Sequence, residues 1–96
     1  MQSVERRDVL RNLPKKGFEK RDDADHIFFH HVVDDKYTGI KTYISHSARA
    51  KTISGGLLVA MKRQLKLEST SDFLDLIRCP MSGDQFNNIL KERKIL

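Results

Sequence analysis

The stretch HIFFHHVVDDKYTGIKTYISH, residues 26–46, decides the fold. Its first part, His26 to Val33, holds Ile27, Phe28, Phe29, Val32 and Val33, the β-branched and aromatic content that suits a pleated, half-buried surface. Asp34 to Gly39 reads as a turn. From Ile40 to His46, Ile40, Thr42 and Ile44 then alternate with Lys41, Tyr43 and Ser45, the period of a strand. Alternation also puts His26, Phe28 and His30 on one face and Ile27, Phe29 and His31 on the other. With Ile27 and Phe29 toward a core, His26 and His30 look outward, beside Lys41 and Tyr43.

Working upstream, Asp22-Asp23-Ala24-Asp25 is a polar turn and Phe18 to Arg21 a first strand. Three short strands joined by tight turns predict an antiparallel meander. Pro14 and Gly17 separate that meander from an N-terminal helix, capped by Ser3 and running through Leu13, with Val4, Val9, Leu10 and Leu13 as its apolar face. Downstream, Ser45 to Lys51 is a small basic loop. A second helix follows from a Ser54 cap to about Lys66, with Leu57, Leu58, Met61 and Leu65 on its buried stripe. Gly55 and Gly56 weaken its first turn, by up to ~1 kcal/mol each relative to Ala, as if backbone there approaches something closely or packs tightly. The order α-β-β-β-α predicts an α+β sandwich, a three-stranded antiparallel sheet with two helices on one face.

After Leu67 the pattern changes. Asp72 to Arg78 is a short helix, and Pro80 separates it from another. Ser82 and Gln85 have capping-box spacing ahead of Phe86, Ile89 and Leu90. The expected organisation is a core over residues 1–67 and a helical extension over 68–96. The extension is too short to own a core, so it packs on the main body or on a partner chain.

The 96 residues, 39% hydrophobic and 32% charged, have apolar material for one modest core, which excludes a disordered chain. No apolar run approaches the ~20 residues of a membrane span, and the first residues lack the apolar run of a secretory leader. Cys79 is the single cysteine, so neither an internal disulfide framework nor a multi-cysteine zinc site can form. These readings point to a reducing cytoplasm, no membrane partner, and no metal or other cofactor.

Charge is strongly segregated. Residues 22–35 hold five Asp and no Lys or Arg, whereas residues 36–66 hold seven basic residues and no acid. A long stretch of cations without a carboxylate points to a polyanionic partner, since clustered cations release counterions from a phosphate backbone. The competing reading is a solvated helix face whose long stems cover apolar surface. Arg49 and Lys51, before the second helix, are candidate phosphate contacts, and Lys62 and Arg63 extend the track along it.

Four stretches carry a family resemblance: LRNLPKKGF (10–18), HIFFHH (26–31), IKTYISH (40–46) and ISGGLLVAMKRQLKL (53–67). Together they resemble the HicA toxin family, small messenger-RNA-cleaving partners in toxin–antitoxin pairs, over about residues 3–67. The resemblance implies a double-stranded-RNA-binding-like fold, a HicB-like antitoxin partner, and metal-independent cleavage of mRNA. It places the family's catalytic histidine on His26 and its strand-end histidine on His46. The family's Gly-Ser before the catalytic histidine is here Asp23-Ala24, and the proline two before the strand-end histidine is Ile44.

RNA cleavage needs only a base for the 2′-OH proton and an acid for the leaving 5′-oxygen, and an imidazole can serve as either near neutrality. His26 is the candidate acid/base; Lys41, Tyr43, His46, Arg49, Lys51, Lys62 and Arg63 are the candidate RNA contacts. A bland alternative for His26 is a sheet histidine held by Asp25. Two other functions remain open, an RNA-binding module that does not cleave and a protein-interaction domain. The oligomeric state, monomer or dimer, is not legible.

Overall fold

A computed structural model describes residues 2–46, 51–78 and 80–96. Arg49 and Cys79, singled out above, lie outside the described residues. The chain is α+β, with a three-stranded antiparallel sheet and four helices among the described residues. The sheet runs β2 (Phe18–Asp22), β3 (His26–Val33), β4 (Lys36–Ser45), in that order. Phe18 pairs with His31 across β2–β3, and His26 with Ser45 across β3–β4.

The β3–β4 turn is tighter than its sequence indicates. Only Asp34 and Asp35 lie between the strands, at φ 51° and 63°. Two successive left-handed residues match the twist of the flanking strands, and Asp tolerates that region better than most side chains. Lys36 to Gly39 therefore join the strand instead of the turn. The added length is absorbed by a bulge: His30 pairs with Lys41, but Val32 pairs with Tyr37. Gly39, at φ 88°, occupies the surplus.

Helices back one face of the sheet. α2 (Gly55–Gln64) lies against β4, where the Thr42 hydroxyl donates to Gln64 Oε1 at 2.7 Å. α4 (Gly83–Glu92) lies against β2 and β3, its Phe86 ring 5.7 Å from Phe18 and 5.1 Å from His31. α1 (Arg6–Asn12) packs on α3 (Thr70–Arg78). The last carbonyls of α3, which no helical N–H can reach, are taken by side chains from upstream. Asn12 Nδ2 donates to the Ile77 carbonyl at 2.8 Å, and the Lys16 ammonium donates to that of Leu76. Gly83 meets the backbone of Lys16 so closely that a Cβ there would fall 2.7 Å from its carbonyl oxygen. One buried cluster runs through all of these elements, with Phe29, Phe73 and Phe86 fully enclosed. Each such side chain contributes about 1.5–3 kcal/mol by leaving water.

Three local expectations change. Ser3 does not cap a helix: Ser3–Glu5 form β1, paired antiparallel with β5 (Thr52–Ser54), with Val4 opposite Ile53 and both buried. The helix starts at Arg6 without a side-chain cap and passes at Leu13 into a 3₁₀ turn through Lys16. Pro14 fits near the start of that turn because its missing N–H has no partner to lose there, and Gly17, at φ 89°, ends it. Ser54 does stand at the N-terminus of α2, but its side chain accepts no cap hydrogen bond. Leu57 is half exposed and leaves the buried stripe to Leu58, Met61 and Leu65. The capping box of Ser82 and Gln85 forms in both directions. No helix among the described residues is long and apolar enough to cross a membrane.

Candidate nucleic-acid interface

The face of the sheet turned away from the helices carries the groups that matter. Register and alternation align Glu19 and Arg21 from β2, His26, Phe28 and His30 from β3, and Lys41, Tyr43 and Tyr37 from β4. Their rings touch in sequence. Tyr37 lies 5.1 Å from His30, His30 6.0 Å from Phe28, Phe28 5.3 Å from Tyr43, and Tyr43 5.0 Å from His26. The His30–Phe28 pair is stacked and the Tyr43–His26 pair edge-on. Lys41 Nζ stands 5.8 Å above the Phe28 ring, within cation–π range. Tyr37 is 52% and Tyr43 38% exposed, and no layer packs above them among the described residues.

Arg21 and Glu19 pair at 2.7 Å beside this row. Glu19 is held below the usual carboxylate range, first by a hydrogen bond from Tyr37 and then by Arg21. The one carboxylate among the strand residues of this face is thus already engaged.

His26 sits at the end of the row, where β3 leaves the Asp22–Asp25 turn. Asp23 organises that turn. Its carboxylate accepts the backbone N–H of Asp25 at 2.8 Å and of His26 at 2.7 Å, and its own N–H donates to the His26 carbonyl. Its carbonyl accepts from His46 Nε2 at 2.7 Å. The two backbone N–H groups, His26's first, hold the Asp23 carboxyl below its ordinary range, with His26 and His46 adding to the effect. An Asx turn of this kind replaces the flexibility of a glycine with a side-chain hydrogen bond. The carboxylate nearest the candidate histidine therefore acts as a backbone ligand, and no bond from Asp25 to the His26 ring is present among the described residues.

His26, Lys41 and Tyr43 come together on this face, and His46 joins at its end through Asp23. Lys51 is exposed nearby: its carbonyl accepts the Arg6 N–H, while the Arg6 guanidinium donates to the Ser45 carbonyl opposite His26. Arg6 is thus a cation at the same end that sequence reading missed. Lys62 and Arg63 do not join the group. They ride on α2, which packs behind the sheet, and Lys62 Nζ donates to the Glu68 carbonyl at 3.4 Å. Also missed were Arg21, at the end of its strand, and Tyr37, which the bulge carries onto the face. A D-x-x-H turn was the available signal for Asp23.

His31 takes the opposite course. It is fully buried, between the Phe18 and Phe86 rings, with Nε2 bonded to Asn87 Oδ1 at 2.7 Å and Nδ1 to the Thr38 hydroxyl at 2.9 Å. Burial lowers its pKa from 6.5, with Asn87 partly opposing. Among the described residues no three His, Cys, Asp or Glu side chains gather as a metal site. The depression between α3 and α4, around Asp75, Met81, Ile89 and Glu92, has carboxylates and no cation, which suits no polyanion. Comparison with protein-family models, with curated proteins and with solved structures returned no match.

Proposed function

We propose that the chain is a HicA-like toxin, a metal-independent endoribonuclease that cleaves mRNA with His26 as general acid and base. The observation that carries the reading is the place of His26: an imidazole at the end of an open, aromatic, cation-bearing sheet face, its backbone fixed by the Asp23 turn. The order of α1, the three-stranded sheet and α2 supports a double-stranded-RNA-binding-like core, to which the β1–β5 ribbon and the two C-terminal helices are added. In the reaction the neutral imidazole takes the 2′-OH proton as that oxygen attacks phosphorus. The P–O5′ bond breaks, and the imidazolium returns the proton to the leaving 5′-oxygen, leaving a 2′,3′-cyclic phosphate and a 5′-hydroxyl. In this reading Lys41, Arg6 and Lys51 hold the flanking phosphates. The protein would act in the cytoplasm, restrained by a HicB-like antitoxin.

A non-cleaving RNA-binding module is the second reading, favoured by the exposed Asp22 and Asp25 beside His26, whose charge opposes an incoming phosphate. The test is cleavage of single-stranded RNA by the purified protein and by His26→Ala, with growth arrest on induction as the cellular counterpart. Positioned proton transfer is worth about 10²–10⁴-fold, so the variant should lose at least that much. Equal cleavage by both proteins removes His26 from the mechanism; no cleavage by the wild type leaves the binding module.

A further inference from the structure

We infer that the ring row Tyr37–His30–Phe28–Tyr43 is a base-stacking platform, which makes unpaired RNA, and not duplex, the ligand of the open face. The inference rests on the RNA reading above and names what that RNA must look like.

Four observations converge. The rings form a continuous chain at 5.0–6.0 Å spacing, ending at His26. The two tyrosines keep much of their surface in water, so ring faces are available to a ligand. Lys41 is held over Phe28, so a cation stands beside the rings. A nucleobase stacked on an aromatic ring carries its phosphate about where such a cation stands. Finally, the charge of Glu19 is offset by its ion pair with Arg21, which leaves Lys41 to set the charge of the strand residues on this face.

Stacking disfavours the duplex. Bases inside an A-form helix are already stacked on each other and cannot lie on a protein ring, whereas splayed single-stranded bases can. Stacking tolerates any base because every base has a π-face. The platform therefore selects for strandedness more than for sequence, and it delivers the phosphate beyond its last base to His26.

The experiment measures binding apart from cleavage, using a short labelled single-stranded RNA with 2′-O-methyl sugars, which cannot be cut, and the same strand in a duplex. The single strand should bind at least ten-fold more tightly. Tyr43→Leu and Tyr37→Leu should each weaken it about ten-fold with the slope of log affinity against log salt unchanged. Lys41→Gln should reduce that slope by about one phosphate contact. Circular dichroism and melting of the tyrosine variants should match the wild type, since both side chains are exposed. Duplex bound as tightly as single strand, tyrosine variants that bind like the wild type, or no RNA binding at all would each overturn the platform. Binding as expected without cleavage of ordinary RNA would keep the platform and remove the nuclease reading. Cleavage that ignores the tyrosines would do the reverse.

Discussion

The two faces of β3 put the same side chain to opposite uses. His31 looks inward, has both ring nitrogens bonded and lies between two phenylalanines; His26 and His30 look outward into rings that water reaches. One strand thus holds a histidine whose loss should cost stability and others whose loss should cost function. What separates them is not residue type but strand parity, together with what the far end of the chain brings to each side. The inner face receives Asn87 and Phe86 from α4. Among the described residues, α4 brings no side chain to the outer face.

Exchanging the two losses is the most direct way to break this contrast. His26→Ala should reduce RNA cleavage by about 10²–10⁴-fold and leave the urea midpoint close to that of the wild type, as surface changes usually do. His31→Ala should do the opposite, costing about 2–4 kcal/mol in urea unfolding from the cavity and from the orphaned Asn87 and Thr38 groups. Cleavage per folded molecule should persist. A large stability loss in His26→Ala, or an unchanged midpoint in His31→Ala, would mean that the faces are not divided in this way.

Acid offers a second handle on the inner face. The folded-state pKa of His31 is lowered below 6.5, chiefly by burial. Above that value both folded and unfolded chains carry it neutral and its contribution is complete. Below it the unfolded chain takes a proton that the folded chain refuses, so stability falls, by up to about 1.4 kcal/mol per pH unit, until the lowered folded value is reached. Glu19 and Asp23 are also lowered, but from 4.5 and 3.8, so their losses begin further into acid. Urea midpoints measured between pH 7.5 and 5.5 should therefore decline, and His31→Gln should flatten the decline. An equally steep decline in that variant would place the titrating group elsewhere.

Strand parity was legible because it needs only a period of two. Ile27 and Phe29 against His26 and Phe28 settle the faces of β3, and the outward placing of Lys41 and Tyr43 follows from the same alternation. The β1–β5 ribbon was not legible. Its strands are too short to show a period, its partners are Val4 and Ile53, far apart in the chain, and Val4 also fits the helical spacing of Val9 and Leu13. Tyr37 was hidden by a turn that sequence placed over 34–39, since nothing local announces a bulge. Asp23 was legible as charge but not as geometry: its carboxylate reads as repulsion until its two backbone N–H partners are seen. Asn87 as the partner of His31 depends on how α4 docks, which no local pattern encodes.

The smallest effect tests which side of the sheet RNA uses. Gly55 and Gly56 open α2 behind the sheet, and a Cβ at either would meet nothing within 4 Å among the described residues. Their backbones differ: Gly55 sits at φ 58°, which L side chains rarely adopt, whereas Gly56 does not. Gly55→Ala should therefore destabilise, by about 1–2 kcal/mol, and Gly56→Ala should stabilise, by about 0.4–1 kcal/mol, because the unfolded chain loses freedom that the folded helix never had. Among the described residues neither glycine is required by packing, so close approach of backbone to a partner here becomes testable. If RNA lies on the open face, Gly56→Ala should melt higher and bind single-stranded RNA as the wild type does. A variant that gains stability but loses RNA affinity would put the ligand at the start of α2, the helix behind the sheet, and the contrast between the two faces would have to be redrawn around Lys62 and Arg63.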